Sequence, residues 1–175
     1  MTIEAISDLK ALPTPPSTIE AVYVLSHSIL GDSGGETFYW SGSSNPPDNG
    51  GTVIIPASLP STGRWMRLVE DFILVEWFGA KGDGVTDDTI AFNNALGVAM
   101  QYKLPLTMLG KTYLISETIL IDSGPYEFKL EASIIGGTKI KFRNTVTNRP
   151  LISLTPNSSH SHVENIEFIA ENPLV

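Results

Sequence analysis

The chain has 175 residues, of which 42% are hydrophobic and 17% charged, so it has enough apolar surface for one ordinary domain or two small ones. A formal net charge of −8 at pH 7 disfavours nucleic acid and anionic membrane surfaces as partners. The absence of cysteine excludes disulfides, thiolate zinc sites and cysteine nucleophiles. No apolar run has the roughly 18 residues of a membrane span, and the N-terminus lacks the pattern of a signal peptide.

Residues 1–18 are predicted to form a short helix or an extended arm. Three of the residues 13–16 are proline, which prevents a helix there and favours an extended chain. Before the prolines, Ile3, Ile6 and Leu9 are spaced for one or two helical turns.

Residues 19–72 are predicted to form a small β domain. Glycine-rich turns and the hairpin-type pair Asn49-Gly50 separate segments that are rich in β-branched and aromatic residues. A domain of about fifty residues has a limited core, so its aromatic residues, or oligomerisation, are expected to stabilise it. The four predicted strands are residues 21–27, 36–42, 52–58 and 63–71.

Residues 73–105 are predicted to be a neck that carries one α-helix, from Asp87 to Tyr102. Lys103 and Pro105 fit its C-terminal end. The apolar residues follow the period of one helix face, at Ala91, Phe92, Ala95, Leu96 and Ala99.

A stretch rich in glycine and aspartate precedes this helix and is interpreted as its start. Glycines there allow a sharp turn out of the preceding strand. Thr86 is the predicted N-cap, and Asp87 and Asp88 are placed in the first turn, where the helix dipole favours anions. The predicted helix-start residues are therefore Gly82, Asp83, Gly84, Thr86, Asp87 and Asp88.

Two ligand-binding interpretations fit the same stretch less well. The glycine spacing reverses that of the dinucleotide fingerprint, and Lys81 comes too early for a P-loop. Counted from Asp83, Val85 and Asp88 stand where an EF-hand needs an oxygen ligand and a glycine. A cation held by the three carboxylates remains an alternative, but no metal ligand or cofactor is assigned.

From residue 106 onward no helix is predicted. Short strands with frequent turns are typical of sandwiches, barrels and β-solenoids. The strands are almost continuously apolar and lack tight hairpin turns, which favours a parallel β-solenoid. Since no polar cap follows, we expect residues 106–175 to be the first rungs of a longer solenoid. The predicted strands are residues 112–116, 118–122, 128–135, 138–142, 150–154 and 163–170.

Three segments carry a resemblance to a known family. Residues 78–96, FGAKGDGVTDDTIAFNNAL, resemble the opening motif of the pectate-lyase-type right-handed β-helix superfamily, which includes bacteriophage tailspikes. Residues 110–116, GKTYLIS, resemble the strand that follows in that family, although Leu109 replaces the usual proline. Residues 31–68 are similar to the small β domain that precedes the β-helix in many tailspike depolymerases.

The resemblance implies a mainly β fold, in which a small virion-attachment domain precedes a capping helix and the first rungs of a right-handed parallel β-helix. It implies a homotrimer in the phage tail, outside the cell, held through its N-terminal region by a tail or baseplate protein or another tailspike. The full-length protein would recognise and degrade a bacterial surface polysaccharide through residues beyond Val175, so no catalytic residue is assigned here. The alternatives are a complete small β-helix polysaccharide lyase or hydrolase, and a calcium-dependent adhesin or secreted pectinase.

The remaining candidate side chains have simpler explanations. His160 and His162 could bind a metal from one strand face, but zinc needs three or four ligands, and His27 has no visible partner. Charges on an outer strand face explain the acidic residues better than a glycosidase pair does. The tryptophans are more often core or interface anchors than sugar-stacking groups. These candidates are Asp122, Glu164, Glu167 and Glu171, and Trp40, Trp65 and Trp77.

Overall fold

The computed structural model divides the chain into two compact units. The N-terminal unit comprises Met1–Glu70 and Glu76–Gly79, and the C-terminal unit comprises Asp71–Val75 and Ala80–Val175. No helix among the described residues is long and apolar enough to cross a membrane. The structure describes residues 1–12, 21–58, 61–122, 124, 127–132, 137–143, 150–156 and 160–171.

The N-terminal unit is built on one five-stranded sheet with the order β1-β2-β3-β5-β4. Strands β2 to β5 pair in antiparallel fashion, whereas β1 lies parallel to β2. Its elements are β1 (Thr2–Ala5), α1 (Ile6–Ala11), β2 (Ala21–Ser26), β3 (Glu36–Ser41), β4 (Val53–Ile54) and β5 (Arg64–Arg67).

The third predicted strand, residues 52–58, is reduced to the two residues of β4. The cause is local: side chains of the preceding loop take the backbone donors that a longer strand would use for its ladder. Asn49 Oδ1 accepts hydrogen bonds from three successive backbone N–H groups, those of Gly51, Thr52 and Val53. Asp48 accepts a further one from Ile55.

One face of this sheet forms the core of the N-terminal unit. Alternate residues of a strand point to the same face, and helix α1 covers that face with Ile6 and Leu9. Trp40 and Trp65 meet edge to face, with ring centroids 5.3 Å apart. The buried core cluster comprises Ile6, Leu9, Val22, Val24, Phe38, Ile54 and Trp65.

The prediction of a separate arm is wrong for residues 2–11. Strand β1 pairs with β2, and Leu9 of α1 is fully buried in the core. The helical turns suggested by Ile6 and Leu9 are present in α1, and the apolar side of this helix packs against the sheet. The proline-rich end of the predicted arm, residues 13–20, lies outside the described residues.

The C-terminal unit contains three parallel sheets. Their strand orders are β6-β8-β11-β14, β7-β9-β12-β15 and β10-β13, so each sheet gains a strand at every turn of the chain. The elements are β6 (Ile73–Leu74), β7 (Asp83–Asp87), α2 (Thr89–Tyr102), β8 (Leu106–Met108), β9 (Thr112–Ile115), β10 (Ile119–Ile121), β11 (Glu127–Ala132), β12 (Thr138–Arg143), β13 (Ile152–Leu154), β14 (His160–Glu164) and β15 (Ile166–Glu171).

This arrangement is a parallel β-helix, and the predicted fold class is confirmed. Equivalent apolar residues stack from rung to rung and fill the interior. Ile73, Leu106 and Leu130 are in register and fully buried, and Val163 continues the column.

Helix α2 begins at Thr89, two residues later than predicted, and its end agrees with the prediction. Lys103 takes the left-handed conformation at φ 58° and donates its backbone N–H to Met100, which ends the helix. The helix packs against β6 and β8, the first two strands of their sheet. Its buried side chains are Thr89, Phe92, Ala95, Leu96, Val98 and Ala99.

Candidate functional site

The stretch before α2 is organised by three aspartates, and Thr86 is not the N-cap. Thr86 belongs to β7, and its hydroxyl donates to Asp83 Oδ2 at 2.8 Å. Asp83 Oδ1 also accepts the backbone N–H groups of Thr86 and Val85, at 2.7 and 2.9 Å. These hydrogen bonds, that of the Thr86 N–H first, lower the pKa of Asp83 to about 2. The predicted cap is wrong because Thr86 lies in β7, three residues before α2 begins at Thr89.

Asp88 occupies the N-cap position, but its side chain does not cap the helix. The carboxylate is buried and turns back to accept the backbone N–H groups of Lys81 and Gly82, at 2.7 and 3.1 Å. Burial raises the pKa of Asp88, although these hydrogen bonds oppose the shift. Asp88 therefore ties the glycine turn to the helix start. The prediction that it lies inside the first turn is wrong.

Asp87 also precedes the helix, and it joins the helix to β9. Its Oδ1 accepts the backbone N–H of Thr89 at 3.0 Å, and the Thr89 hydroxyl donates to the same oxygen. The Ser116 hydroxyl donates to Oδ2. Burial raises the pKa of Asp87, but the hydrogen bonds from Ser116 and Thr89 outweigh it, so the net shift is downward.

The glycines of this stretch have the role that was predicted for them. Gly82 and Gly84 have φ values of 62° and 73°, which other residues rarely adopt. A Cβ atom at Gly82 would lie 2.7 Å from Cβ of Lys111, so the turn also requires a residue without a side chain at this position.

A surface cavity of about 460 Å³ opens where α2 begins. Its two carboxylates, Asp87 and Glu117, share the lining with neutral amides, and the described lining has no aromatic ring for stacking on a sugar. Within the described ranges, no group of three or more His, Cys, Asp or Glu side chains could hold a metal ion. The cavity is lined by Asp87, Thr89, Ile90, Asn93, Asn94, Ser116 and Glu117.

The glutamates of the last strands lie on the outer face of the β-helix, as the simpler interpretation predicted. Each forms an ion pair with a basic side chain of the preceding rung: Glu164 with Lys129 at 3.3 Å, Glu167 with Lys139 at 3.1 Å, and Glu171 with Lys141 and Arg143 at 2.7 and 2.6 Å. Arg143 first, and then Lys141, lower the pKa of Glu171 to about 2. These carboxylates are partners in salt bridges on the outer face of the β-helix.

Asp122 and His162 each have a partner on the surface of the C-terminal unit. Asp122 accepts the Thr155 hydroxyl at 2.6 Å. His160 and His162 are two residues apart on β14, and His162 Nε2 lies 3.2 Å from Glu127 on the exposed surface.

Sequence reasoning missed Arg67, a buried cation of the N-terminal unit. Its guanidinium carbon lies 4.6 Å from the ring centroid of Phe38 and 4.7 Å from that of Trp77. The guanidinium donates to the carbonyls of Gly51, Gly35 and Gly34, at 2.8, 3.2 and 2.9 Å. Burial lowers its pKa to about 9. The available signal was the period-2 alternation, which places Arg67 on the same strand face as Trp65.

Trp77 and His27 consequently have structural partners. The Trp77 ring stacks on Arg67, so it anchors the unit and is not free to stack on a sugar. His27 lies within hydrogen-bond distance of the Gly50 carbonyl, at 3.2 Å, and of the Ser28 hydroxyl, at 2.8 Å. Burial lowers the pKa of His27, which favours the neutral ring.

The N-terminal unit matches a known family. Residues 2–71 fit the family model described as the phage tail protein small four-stranded beta-sheet domain. Strands β2 to β5 supply four antiparallel strands over that range. Residues 2–71 are therefore similar to a phage tail small β-sheet domain, and that name is kept for this range. Across 59 residues, or 33% of the chain, the sequence is also 44% identical to an uncharacterized 65.4 kDa protein in the cps region of Klebsiella pneumoniae, and the match covers 10% of that protein.

Solved structures share the fold over nearly the whole chain, the phage tail β-sheet domain included. The tailspike of Acinetobacter baumannii phage AM24 aligns with a TM-score of 0.75 and 17% identity over 96% of this chain and 28% of its own. Pantoea stewartii WceF is described as a glycan biofilm modifying enzyme with a tailspike-like parallel β-helix. It aligns with a TM-score of 0.71 and 17% identity over 95% of this chain and 24% of its own. Tailspike gp49 of Acinetobacter baumannii phage Fri1 is described as a capsular polysaccharide depolymerase. It aligns with a TM-score of 0.67 and 11% identity over 97% of this chain and 38% of its own.

These comparisons confirm the predicted tailspike resemblance. The family model supports it over the phage tail β-sheet domain, and the solved structures support it at the level of the fold. The chain spans between 24% and 38% of the length of these three structures.

Proposed function

We propose that this chain is the virion-attachment and assembly region of a homotrimeric phage tailspike, whose longer form recognises and degrades a bacterial surface polysaccharide. The observation that carries the proposal is the order of two parts in one chain: a phage tail β-sheet domain, followed by a parallel β-helix. The descriptions of WceF and of the Fri1 tailspike as glycan-directed proteins support the polysaccharide as the target of the longer form.

The proposed role of the N-terminal unit is to hold the trimer on a tail or baseplate protein, or on another tailspike. The family description supports a place in the phage tail. The sheet face opposite the core also leaves apolar side chains in solvent, among them Tyr23, Leu25 and Tyr39. Exposed apolar groups gathered on one face are typical of protein contact surfaces.

We further propose that the β-helix continues past the last rung described here. Phe168 is in register with Ile140, and Ile140 with Tyr113; the latter two are fully buried, whereas Phe168 is 45% exposed. Val163 is likewise 41% exposed at the end of its column. Leaving apolar core positions in water is unfavourable, since burial of a large apolar side chain contributes roughly 1.5–3 kcal/mol. Another rung would cover both side chains.

The polysaccharide-degrading residues are proposed to lie in that continuation. The candidate glutamates of the described rungs are neutralised in salt bridges, and Asp87 is engaged by Thr89 and Ser116. The 175-residue chain should therefore be inert towards capsule and lipopolysaccharide. Release of reducing ends, or of products absorbing at about 235 nm (the absorbance of the unsaturated sugars that a lyase leaves), would favour the alternative of a complete small lyase or hydrolase.

Two measurements test the structural proposal itself. Light scattering of the purified chain should give about three times the single-chain mass of 18.9 kDa, and a monomer at micromolar concentration would contradict the trimer. Antibodies raised against the chain should label the tail of the phage that encodes it in electron micrographs. Labelling of the infected cell only, with bare particles, would contradict the attachment role.

A further inference from the structure

The solvent side of α2 carries no charge. The helix has no Asp, Glu, Lys or Arg between Thr89 and Tyr102, although surface helices ordinarily place charged residues on the side that faces water. Ile90 on this side is 77% exposed. We name this surface the α2 face, and define it by its exposed residues Ile90, Asn93, Asn94, Gly97, Gln101 and Tyr102.

Gly97 lies near the middle of the α2 face. Nothing in the fold of the single chain requires glycine at this position. No described atom lies within 4 Å of the place where a Cβ would stand, and the residue has helical geometry. Glycine inside a helix is less favourable than alanine. A missing side chain on an exposed helix instead allows another backbone to approach closely.

The charge distribution favours a second copy of this chain as the partner. Two copies with a net charge of −8 repel one another over most of their surface. At the α2 face they can meet without placing like charges opposite each other. Asn93, Asn94 and Gln101 each carry amide donors and acceptors, so the amides of neighbouring copies can pair with one another. Ile90 would leave water in the same contact.

We propose that the α2 face is a contact surface between copies of this chain, with helices of neighbouring subunits meeting at Gly97. This inference rests on the proposed trimer and names the part of the C-terminal unit that holds it together.

Sedimentation velocity of three full-length proteins tests the contact. Gly97→Arg adds bulk and charge where the monomer has open space, and arginine is the better helix former, so the fold itself should tolerate the change. Leu120→Arg, at a 53% exposed position of β10 in the same unit, is the matched control. We expect a trimer for the wild type and for Leu120→Arg, and a threefold loss of mass for Gly97→Arg at micromolar concentration.

Single cysteines give a second, independent readout because the chain has none of its own. Gly97→Cys and Asn93→Cys should form covalent dimers with a short bismaleimide, whereas Leu120→Cys should not. Circular dichroism of each variant checks that the fold is retained, and the cysteine variants decide the matter if Gly97→Arg does not fold.

The outcomes separate this inference from the proposal it rests on. A trimeric wild type with a trimeric Gly97→Arg and no cross-link at position 97 would overturn the α2 contact and leave the trimer standing. A monomeric wild type would overturn both. Dissociation of Leu120→Arg as well would show that any added charge disperses the subunits, and would also overturn the assignment of α2.

Discussion

The guanidinium carbon of Arg67 lies 4.7 Å from the centre of the Trp77 ring, and the Phe38 ring lies 4.6 Å from the same atom. A cation held between two aromatic faces gains from both ring quadrupoles once water is excluded. Three carbonyl acceptors take three of its five N–H groups, so protein oxygens replace part of the water that the buried charge loses. Arg67 therefore joins β5 to the carbonyl groups of Gly34, Gly35 and Gly51, which lie outside the strands of the sheet.

The first prediction concerns this cation. Arg67→Lys should destabilise the N-terminal unit by about 2–4 kcal/mol, because an ammonium cannot reach three carbonyls or stack as a plane. All three tryptophans, Trp40, Trp65 and Trp77, belong to this unit, so tryptophan fluorescence in urea follows its unfolding. Lys10→Met removes a surface ion pair with Asp48 and should cost at most about 1 kcal/mol. Equal effects of the two changes would contradict the assignment.

Arg67 also shows where sequence reasoning succeeds and where it stops. Local periodicity predicted α2, its end at Lys103, and a solenoid after residue 106, because each rests on neighbouring residues. Strand β1 was missed because its four residues are too few to show a strand pattern by themselves. Its partner, β2, lies some twenty residues further along the chain. Arg67 was missed for the same reason, since its acceptors come from Gly34, Gly35 and Gly51.

The helix start illustrates a different limit. Three aspartates precede α2 within six residues, and the sequence alone does not show which backbone donors each one will accept. Asp83 engages Thr86, and Asp88 reaches back to Lys81. The choice depends on the turn at Gly82, whose close approach to Lys111 is a tertiary contact. The sequence therefore predicted a side-chain cap at Thr86, whereas Asp88 stands at the N-cap position and its side chain accepts from the preceding turn.

The second prediction tests that turn. Gly82→Ala should destabilise the C-terminal unit by more than Gly137→Ala, although the two glycines have φ values of 62° and 63°. Both variants meet the left-handed penalty of about 1–2 kcal/mol. Only Gly82→Ala also places a Cβ 2.7 Å from Lys111, whereas no described atom lies within 4 Å at Gly137. We expect crowding to add at least about 1 kcal/mol, measured by far-UV circular dichroism in urea.

The third prediction uses the lowered pKa of Asp83. Its pKa is about 2 in the folded protein against 3.8 as the ordinary value. A carboxyl whose pKa falls on folding stabilises the fold above its unfolded pKa, and that contribution disappears as the pH falls from about 4 towards 2. Asp83→Asn should therefore lose less stability over this interval than the wild type, and Thr86→Val should lie between them. Parallel pH profiles for all three proteins would refute the role given to these hydrogen bonds.

The fourth prediction separates two properties of Asp88, its negative charge and its role as a hydrogen-bond acceptor. Asp88→Ala leaves the backbone N–H groups of Lys81 and Gly82 without this acceptor, which should cost about 2–6 kcal/mol at 1–3 kcal/mol for each group, nearer the lower end because both hydrogen bonds are only partly buried. Asp88→Asn keeps one acceptor oxygen and should cost about half as much. Denaturant unfolding gives both values. If the two variants are equally unstable, the loss comes from charge and not from the two N–H groups.

The last prediction addresses the alternative that the aspartates hold a cation. In this structure the oxygens of Asp83, Asp87 and Asp88 already accept hydrogen bonds from backbone or hydroxyl groups, so a metal ion would have to displace these donors. We expect millimolar calcium to leave the melting temperature of the wild type unchanged relative to chelator. A true site would instead add RT ln(1 + [L]/Kd) to the free energy of unfolding, and Asp87→Asn/Asp88→Asn would lose that gain. Melting curves of both proteins, each with calcium and with chelator, distinguish the cases: a rise of several degrees in the wild type alone would establish a calcium site and replace the hydrogen-bonding role assigned to these carboxylates.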